Sequence, residues 1–219
     1  MQVKLQIIKS RRKTISLSVN KEAELVARVP YNYNPDQLNK FINEKSKWIT
    51  AHIKQVQENN QKYAPFVPTN GAELTLLGEQ FIITIKNTTR AKIIENQIIL
   101  PNKNTKEYLI ALLKKYAKQQ LEIRVKQYAK EFGFNYNQVR IGSAKTVWGS
   151  CSATNNLNFT YRLLLTPNIV VDYVIIHELS HTIVRNHSKE FYQIVADCIP
   201  EYKSAEKWLK QNKGVINYL

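Results

Sequence analysis

The sequence predicts an α+β protein: a β-rich N-terminal region with one helix, then a long helix, then a short antiparallel sheet with a histidine-bearing helix and C-terminal helices. Three observations carry this expectation. Strand-like alternation recurs through the first hundred residues, an apolar period of three to four residues runs from Thr105 to Gly133, and helical patterns fill the last fifty positions. A chain of 219 residues can bury a sizeable core in one or two domains. The break is placed before the long helix, giving a region 1–104 and a domain 105–219.

Taken in order, "MQVKLQIIKS", "KTISLSV" and "ELVARVP" alternate at period two or are rich in β-formers, and read as an antiparallel meander. Residues 35–58 read as a helix with Leu38, Phe41, Ile42, Trp48, Ile49 and Ile53 toward one side. "YAPFVPTNG" is loop-like, "ELTLLGEQFIITIK" gives two strands about Gly78, and "AKIIENQIIL" gives another pair about Asn96-Gln97. From Thr105 a long helix runs on. Leu109, Leu113, Ala117, Leu121, Val125, Tyr128 and Phe132 recur at helical spacing, and Gly133 stops it. "NQVRIG", "KTVWGS" and "NLNFTYRL" read as three short strands. Thr166-Pro167 then caps a helix over about 167–185 with Pro at its first position, and "NHSKEFYQIVADC" and "EYKSAEKWLKQN" give two more.

Lys and Arg exceed Asp and Glu by 15. Residues 1–136 carry 23 basic against 11 acidic side chains, and residues 137–219 carry 9 against 6. A positive field of this kind suits an anionic partner such as nucleic acid, nucleotide or acidic protein; a surface charged for solubility is the plainer alternative. "SRRK", residues 10–13, is either a phosphate contact or a solvated turn. Cys151 and Cys198 are too few for a disulfide framework or a cysteine-based zinc site. No signal-peptide pattern and no stretch of membrane-spanning length stands out, so the expectation is a cytoplasmic protein without a membrane partner.

The chemistry gathers in "VDYVIIHELSHTIVRNH", residues 171–187. His177 and His181 stand at i and i+4, which brings two imidazoles to one helix face about 6 Å apart at Cβ. Zinc takes its donors tetrahedrally, and this spacing lets both rings meet one ion. Glu178, about 100° round the helix, sits near that ion without being its ligand, in place to take a proton from water and pass it to a leaving group. Apolar stripes beside the histidines place them indoors, where an unpartnered pair is costly and a metal is the simplest partner. His187, beyond the helix end, supplies a third ligand and leaves a fourth position open, the pattern of a catalytic zinc site. HExxH alone occurs in unrelated proteins. The rival for the third position is Glu201 or Glu206, with His187 in a surface turn. His52, remote among polar residues, reads as exposed.

"KTVWGSCS", "VDYVIIHELSH", "NHSKEF" and "KWL" in this order, with "RRKTISLSV" near the start, resemble the YgjP-like metallopeptidases, zincins related to the SprT and WLM proteases. The resemblance spans about residues 10–210. It implies a minimal zincin core after a β-rich N-terminal region, one Zn2+ per chain on His177, His181 and His187, and Glu178 as catalytic base. Three positions depart from the family pattern: Asn156 and Thr160 replace the usual Gly and Asn, and Tyr192 replaces a Trp. The spacing from His181 to His187 is also similar to that of the metzincins, but Val184 stands where they carry Gly.

"KTVWGSC" is the expected cleft strand, since zincins hold substrate as an added strand along such an edge. Lys145 and Trp148 are candidate substrate contacts, although Trp148 is somewhat better suited to a core anchor. Arg185, Asn186 and Tyr202 are candidate stabilisers of a developing oxyanion. Cys151 could ligate zinc or attack a substrate, although a thiol without a neighbouring motif more commonly packs as a small hydrophobe. Phe191, Trp208 and Leu209 read as packing. The leading reading is a zinc-dependent metallohydrolase acting as a peptidase on peptide or protein. The alternatives are a nucleoside triphosphate pyrophosphatase on the same zinc site and a nucleic-acid-associated binding module using the basic N-terminal region.

Overall fold

The computed structural model describes residues 4–219, so the first three residues of the opening strand pattern lie outside the described residues. These contain six α-helices and three small sheets, and the chain divides into two compact units, Met1–Ala64 and Pro65–Leu219.

In the first unit, β1 (Leu5–Ser10), β2 (Ser16–Val19) and β3 (Leu25–Pro30) form a sheet in the order β1-β3-β2. This is no meander: β3 runs parallel to β1 and antiparallel to β2. The most completely buried strand takes the centre, with Leu25, Val26, Ala27 and Val29 all buried, while Leu5, Ile7 and Ile8 of β1 stay exposed. The single expected helix is two, α1 (Pro35–Glu44) and α2 (Ser46–Lys62), separated at Lys45. Asn34 caps α1 by accepting from the Asp36 and Gln37 amides at 2.8 and 3.4 Å. Leu38 packs against Ala27 and Val29, and Ile49 and Ile53 against Leu25.

The second unit has one core. Its four-stranded sheet contains β4 (Glu73–Leu76), β5 (Glu79–Lys86), β6 (Lys92–Ile94) and β7 (Gln97–Pro101), ordered β4-β5-β7-β6 with β5 and β7 parallel. Leu74, Ile83 and Leu100 of that sheet join Leu109, Leu113 and Leu121 of α3 (Thr105–Phe132) in the same cluster. The compact units therefore meet at residue 64, forty positions before the break drawn from the sequence. Residues 73–101 share their core with α3 and the elements C-terminal to it. The basic excess divides accordingly: 12 basic against 5 acidic side chains in residues 1–64, and 20 against 12 in residues 65–219. Both compact units are therefore basic, by 7 and by 8 charges.

The third sheet contains β8 (Gln138–Gly142), β9 (Gly149–Cys151) and β10 (Asn156–Thr160), ordered β8-β10-β9. It is mixed rather than antiparallel, because β8 and β10 run parallel with β9 placed on the outer edge between them in sequence. Three helices complete the unit: α4 (Asn168–Ser180), α5 (Lys189–Cys198) and α6 (Tyr202–Gln211). α4 is apolar almost all round, and Val170, Val171, Val174, Ile175, Ile176 and Leu179 are all buried, as such a helix requires. Pro167 is its N-cap, not its first turn, and the Thr166 hydroxyl donates to Leu163 O at 2.8 Å instead of capping. The first turn of α4 is fixed from α3 and from the β4–β5 turn. Arg124 donates to Asp172 Oδ1 and Asn168 Oδ1, both at 2.7 Å, and Asn168 Nδ2 donates to Leu77 O at 2.9 Å.

Candidate metal centre

α4 ends at Ser180, five residues before the end expected from the sequence. The Ser180 hydroxyl donates back to Ile176 O at 2.8 Å and the Thr182 hydroxyl to Leu179 O at 2.7 Å, local bonds that compete with continued helix. His181 is thus the C-cap. The tight turn after it brings His187 back over the helix end, where Ser188 caps α5.

The result is a convergence of three rings. The donor atoms of His177, His181 and His187 all lie within 4.8 Å of one another. His177 Nε2 and His187 Nε2 are 3.0 Å apart. A tetrahedral ion with nitrogens at 2.0–2.1 Å sets neighbouring donors about 3.3 Å apart, close to the spacing of the His177–His187 pair. All three rings rest on Phe191, with centroids 4.5 to 4.9 Å from its ring.

The outer nitrogens determine what the inner ones can do. His181 Nδ1 lies 3.0 Å from Val184 O, and a carbonyl only accepts, so Nδ1 carries the hydrogen and Nε2 keeps a bare lone pair. The Tyr173 hydroxyl lies 3.4 Å from His177 Nδ1 and donates its hydrogen to Glu206 Oε1 at 3.1 Å. Its oxygen is left to accept from Nδ1–H, which again leaves Nε2 bare. Burial pushes the Tyr173 hydroxyl far up, reinforced by the Glu206 carboxylate, so it stays a phenol. Burial also lowers His177 to about 4, aided by the other two imidazoles, and lowers His181. Both are neutral at pH 7, the state that ligates a metal.

Glu178 is 6 % exposed, and burial raises its carboxyl to about 7. It lies across Gly149: a Cβ at that residue would fall 2.7 Å from Glu178 Cγ and 2.8 Å from Oε1. The β9 strand thus reaches the carboxylate only because residue 149 has no side chain. A hollow of about 320 Å³ opens here, lined by Gly149, Ser150, Cys151, Arg185 and the three histidines with Glu178.

The other residues singled out from the sequence take varied places. Arg185 borders the hollow, but its guanidinium is tied to the β9–β10 turn. Nη1 donates to Ser152 O at 2.7 Å, and Nη2 donates to Ala153 O at 3.2 Å and to Asn155 Oδ1. Cys151 also borders it; burial raises its thiol, and its sulfur is not among the gathered donors. Asn186 Oδ1 accepts from the Ser188 amide at 3.2 Å. Tyr202 stacks between Tyr173 and Tyr192 at centroid distances of 6.3 and 6.1 Å. Lys145 and Trp148 line a separate hollow farther along the same segment. His52, expected to be exposed, is half-buried, its ring tilted by 32° against Trp48 with centroids 4.1 Å apart.

Two residues of the site are not apparent from the sequence pattern. Tyr173 falls in an apolar stripe of α4, although its place four residues before His177 is a usable signal. Glu206, a rival metal ligand by sequence, has its carboxylate on the tyrosine instead.

A family model described as the YgjP-like, metallopeptidase domain matches residues 13–212. No curated protein matches the chain. Two solved metallopeptidase zymogens are similar to part of it. Abylysin of Pyrococcus abyssi is 21% identical, with 41% of this chain and 92% of that one covered at a TM-score of 0.38. Jannalysin of Methanocaldococcus jannaschii is 20% identical, with 42% and 94% covered at the same TM-score. Among the described residues no helix is long and apolar enough to cross a membrane.

Proposed function

We propose that this chain, which belongs to the YgjP-like metallopeptidase family, is a zinc-dependent peptidase whose ion is held by His177, His181 and His187. The observation that carries the reading is the shared inward aim of the imidazole nitrogens, two of them fixed by hydrogen bonds on the opposite nitrogen. Three nitrogen donors with an open side suit a catalytic zinc ion, which would acidify a water molecule and polarise a scissile carbonyl. Glu178, one step round the helix from His177, would take the proton from that water and give it to the leaving amine. Burial raises this carboxyl in the metal-free chain, and a bound divalent ion would favour its ionised, proton-accepting form. The β9 edge supports an extended substrate. Thr160 N donates to Trp148 O and Ser152 N to Asn156 O, so the ladder's alternation turns the main chain of Gly149 and Cys151 away from β10, toward the cleft.

The test is metal analysis together with turnover of an unfolded protein. Wild type and Glu178→Gln retain one zinc per chain, His181→Ala loses it, and only wild type cleaves. Zinc absent from all three, or hydrolysis undiminished in Glu178→Gln, refutes the proposal.

A further inference from the structure

We infer that the cleft selects peptides carrying a large apolar residue beside the scissile bond and an acidic residue a few positions farther along. This rests on the peptidase reading of the same site. Three hollows succeed one another along the segment 145–151. The first is the metal centre. The second, of about 270 Å³, shares Gly149, His177 and Glu178 with it and is walled by Val147, Trp148, Tyr173, Val174 and Leu209. Every side chain that distinguishes it from the metal centre is apolar or aromatic, and the Tyr173 hydroxyl is committed to Glu206. Such a wall takes a leucine- or phenylalanine-sized side chain and leaves a charged one without a partner.

The third hollow, of about 440 Å³, shares Trp148 and Leu209 with the second, and Lys145, Lys210 and Lys213 stand around it. No carboxylate lines it, and neither Lys145 nor Lys213 has an ion pair among the described residues. The Lys145 and Lys213 ammonium groups beside this cavity leave a positive field that an acidic side chain neutralises. β9 begins at Gly149 and the chain bends at Lys145, Thr146 and Trp148, so the third hollow lies past the end of the paired edge. An occupant that pairs its main chain with Gly149 and Cys151 and runs on past that end presents an apolar side chain to the second hollow and a carboxylate to the third.

The experiment has two arms, so that failure of this inference and failure of peptidase activity separate. Labelled peptides that differ only in Glu or Gln at the outer position, and in Leu or Ser at the inner one, are titrated onto the zinc-loaded Glu178→Gln chain. Binding there requires no turnover. Cleavage by the zinc-loaded wild type is then compared by kcat/KM. The Leu–Glu peptide binds and turns over better than Leu–Gln by about tenfold, and Lys145→Glu with Lys213→Glu inverts that ratio. Val147→Lys, at a residue 50 % exposed and so tolerant of change, removes the preference for Leu over Ser. Selective, lysine-dependent binding without any cleavage supports the two hollows and refutes the peptidase reading. Equal binding of all peptides, or a ratio unmoved by charge reversal, overturns the inference. So does a nucleoside triphosphate that binds through the same lysines and is hydrolysed while no peptide binds.

Discussion

Replacing Glu178 by glutamine in the metal-free chain measures how strongly the fold acts on this carboxyl. The group has an ordinary value of 4.5 and is held at about 7 by burial. Below 4.5 it is protonated in both folded and unfolded chains and contributes no difference. Between the two values the folded chain keeps a proton that the unfolded chain releases, so stability falls as pH rises, and the loss is complete above 7. A displacement of this size corresponds to a ceiling of about 3 kcal/mol at about pH 8, and to less than about 1 kcal/mol at about pH 5. Glutamine never ionises and escapes that loss. His177, lowered to about 4, has the opposite sign: its contribution is present above its ordinary 6.5 and is lost as pH falls toward 4. Because both proteins contain His177, subtracting one profile from the other isolates the carboxyl. Thermal unfolding in chelator is the assay. Each kcal/mol moves the midpoint by about 2–4 °C in a chain of this length, so Glu178→Gln melts up to roughly 6–12 °C higher at about pH 8 and within a few degrees at about pH 5. Parallel profiles across that range would show that the carboxyl is solvated in the folded chain, and the reasoning from burial would fall.

The geometry sets three further outcomes. Tyr173→Phe removes the acceptor for His177 Nδ1–H, and zinc affinity measured against a chromophoric chelator drops about 10- to 100-fold, with Glu206→Gln showing a smaller loss. Gly149→Ala places a methyl group 2.7 Å from Glu178 Cγ and displaces the carboxylate; turnover falls by about 10²-fold while zinc content stays at the wild-type level. Arg185→Ala unties the β9–β10 turn from the segment between the second and third histidines. Amide exchange over residues 149–155 then rises and KM increases, with zinc retained; unchanged exchange would assign the arginine to the substrate instead.

The parts of this molecule that were legible in the sequence are those governed by local period. α3 matches its expected limits because Leu109, Leu113, Ala117, Leu121 and Val125 repeat on one face and Gly133, at φ 75°, ends it in the left-handed region. The hairpins about Gly78 and Asn96 were readable for the same reason, being closed by short turns. Strand order was not. Alternation indicates which face a side chain takes but carries no information on whether β1 neighbours β2 or β3, and burial of Leu25, Val26 and Ala27 decided that. The domain break shows the same limit. Residues 73–101 resemble the strands before them in pattern, yet their apolar face packs on the helix after them. At the centre, His177, Glu178 and His181 were legible from helical spacing. The inward swing of His187 depends on where α4 stops, at a place where two hydroxyl groups bond back along the chain, and the apolar period does not mark that place. The Tyr173–Glu206 pair spans 33 residues and depends on how α6 docks, which no local pattern encodes.

Burial of one short helix end acts on neighbouring residues in opposite senses, and the two effects converge on the same state. An imidazole loses its proton when desolvated, so His177 is ready to bind a cation at neutral pH without first being deprotonated. A carboxylate gains one, so Glu178 in the metal-free chain is held near half protonation at pH 7, a poor base. A divalent ion on the adjacent imidazoles would favour the ionised carboxylate and bring Glu178 back toward its ordinary range. On the zinc-peptidase reading, the base strength of Glu178 would depend on metal occupancy: the apolar surroundings that keep His177 neutral weaken the carboxyl as a base, and an ion held by the three histidines would restore it. A solvated carboxylate at residue 178 would lack that dependence, which is why the close seat of Glu178 on Gly149, and not only the spacing of the histidines, belongs to the working part of the site.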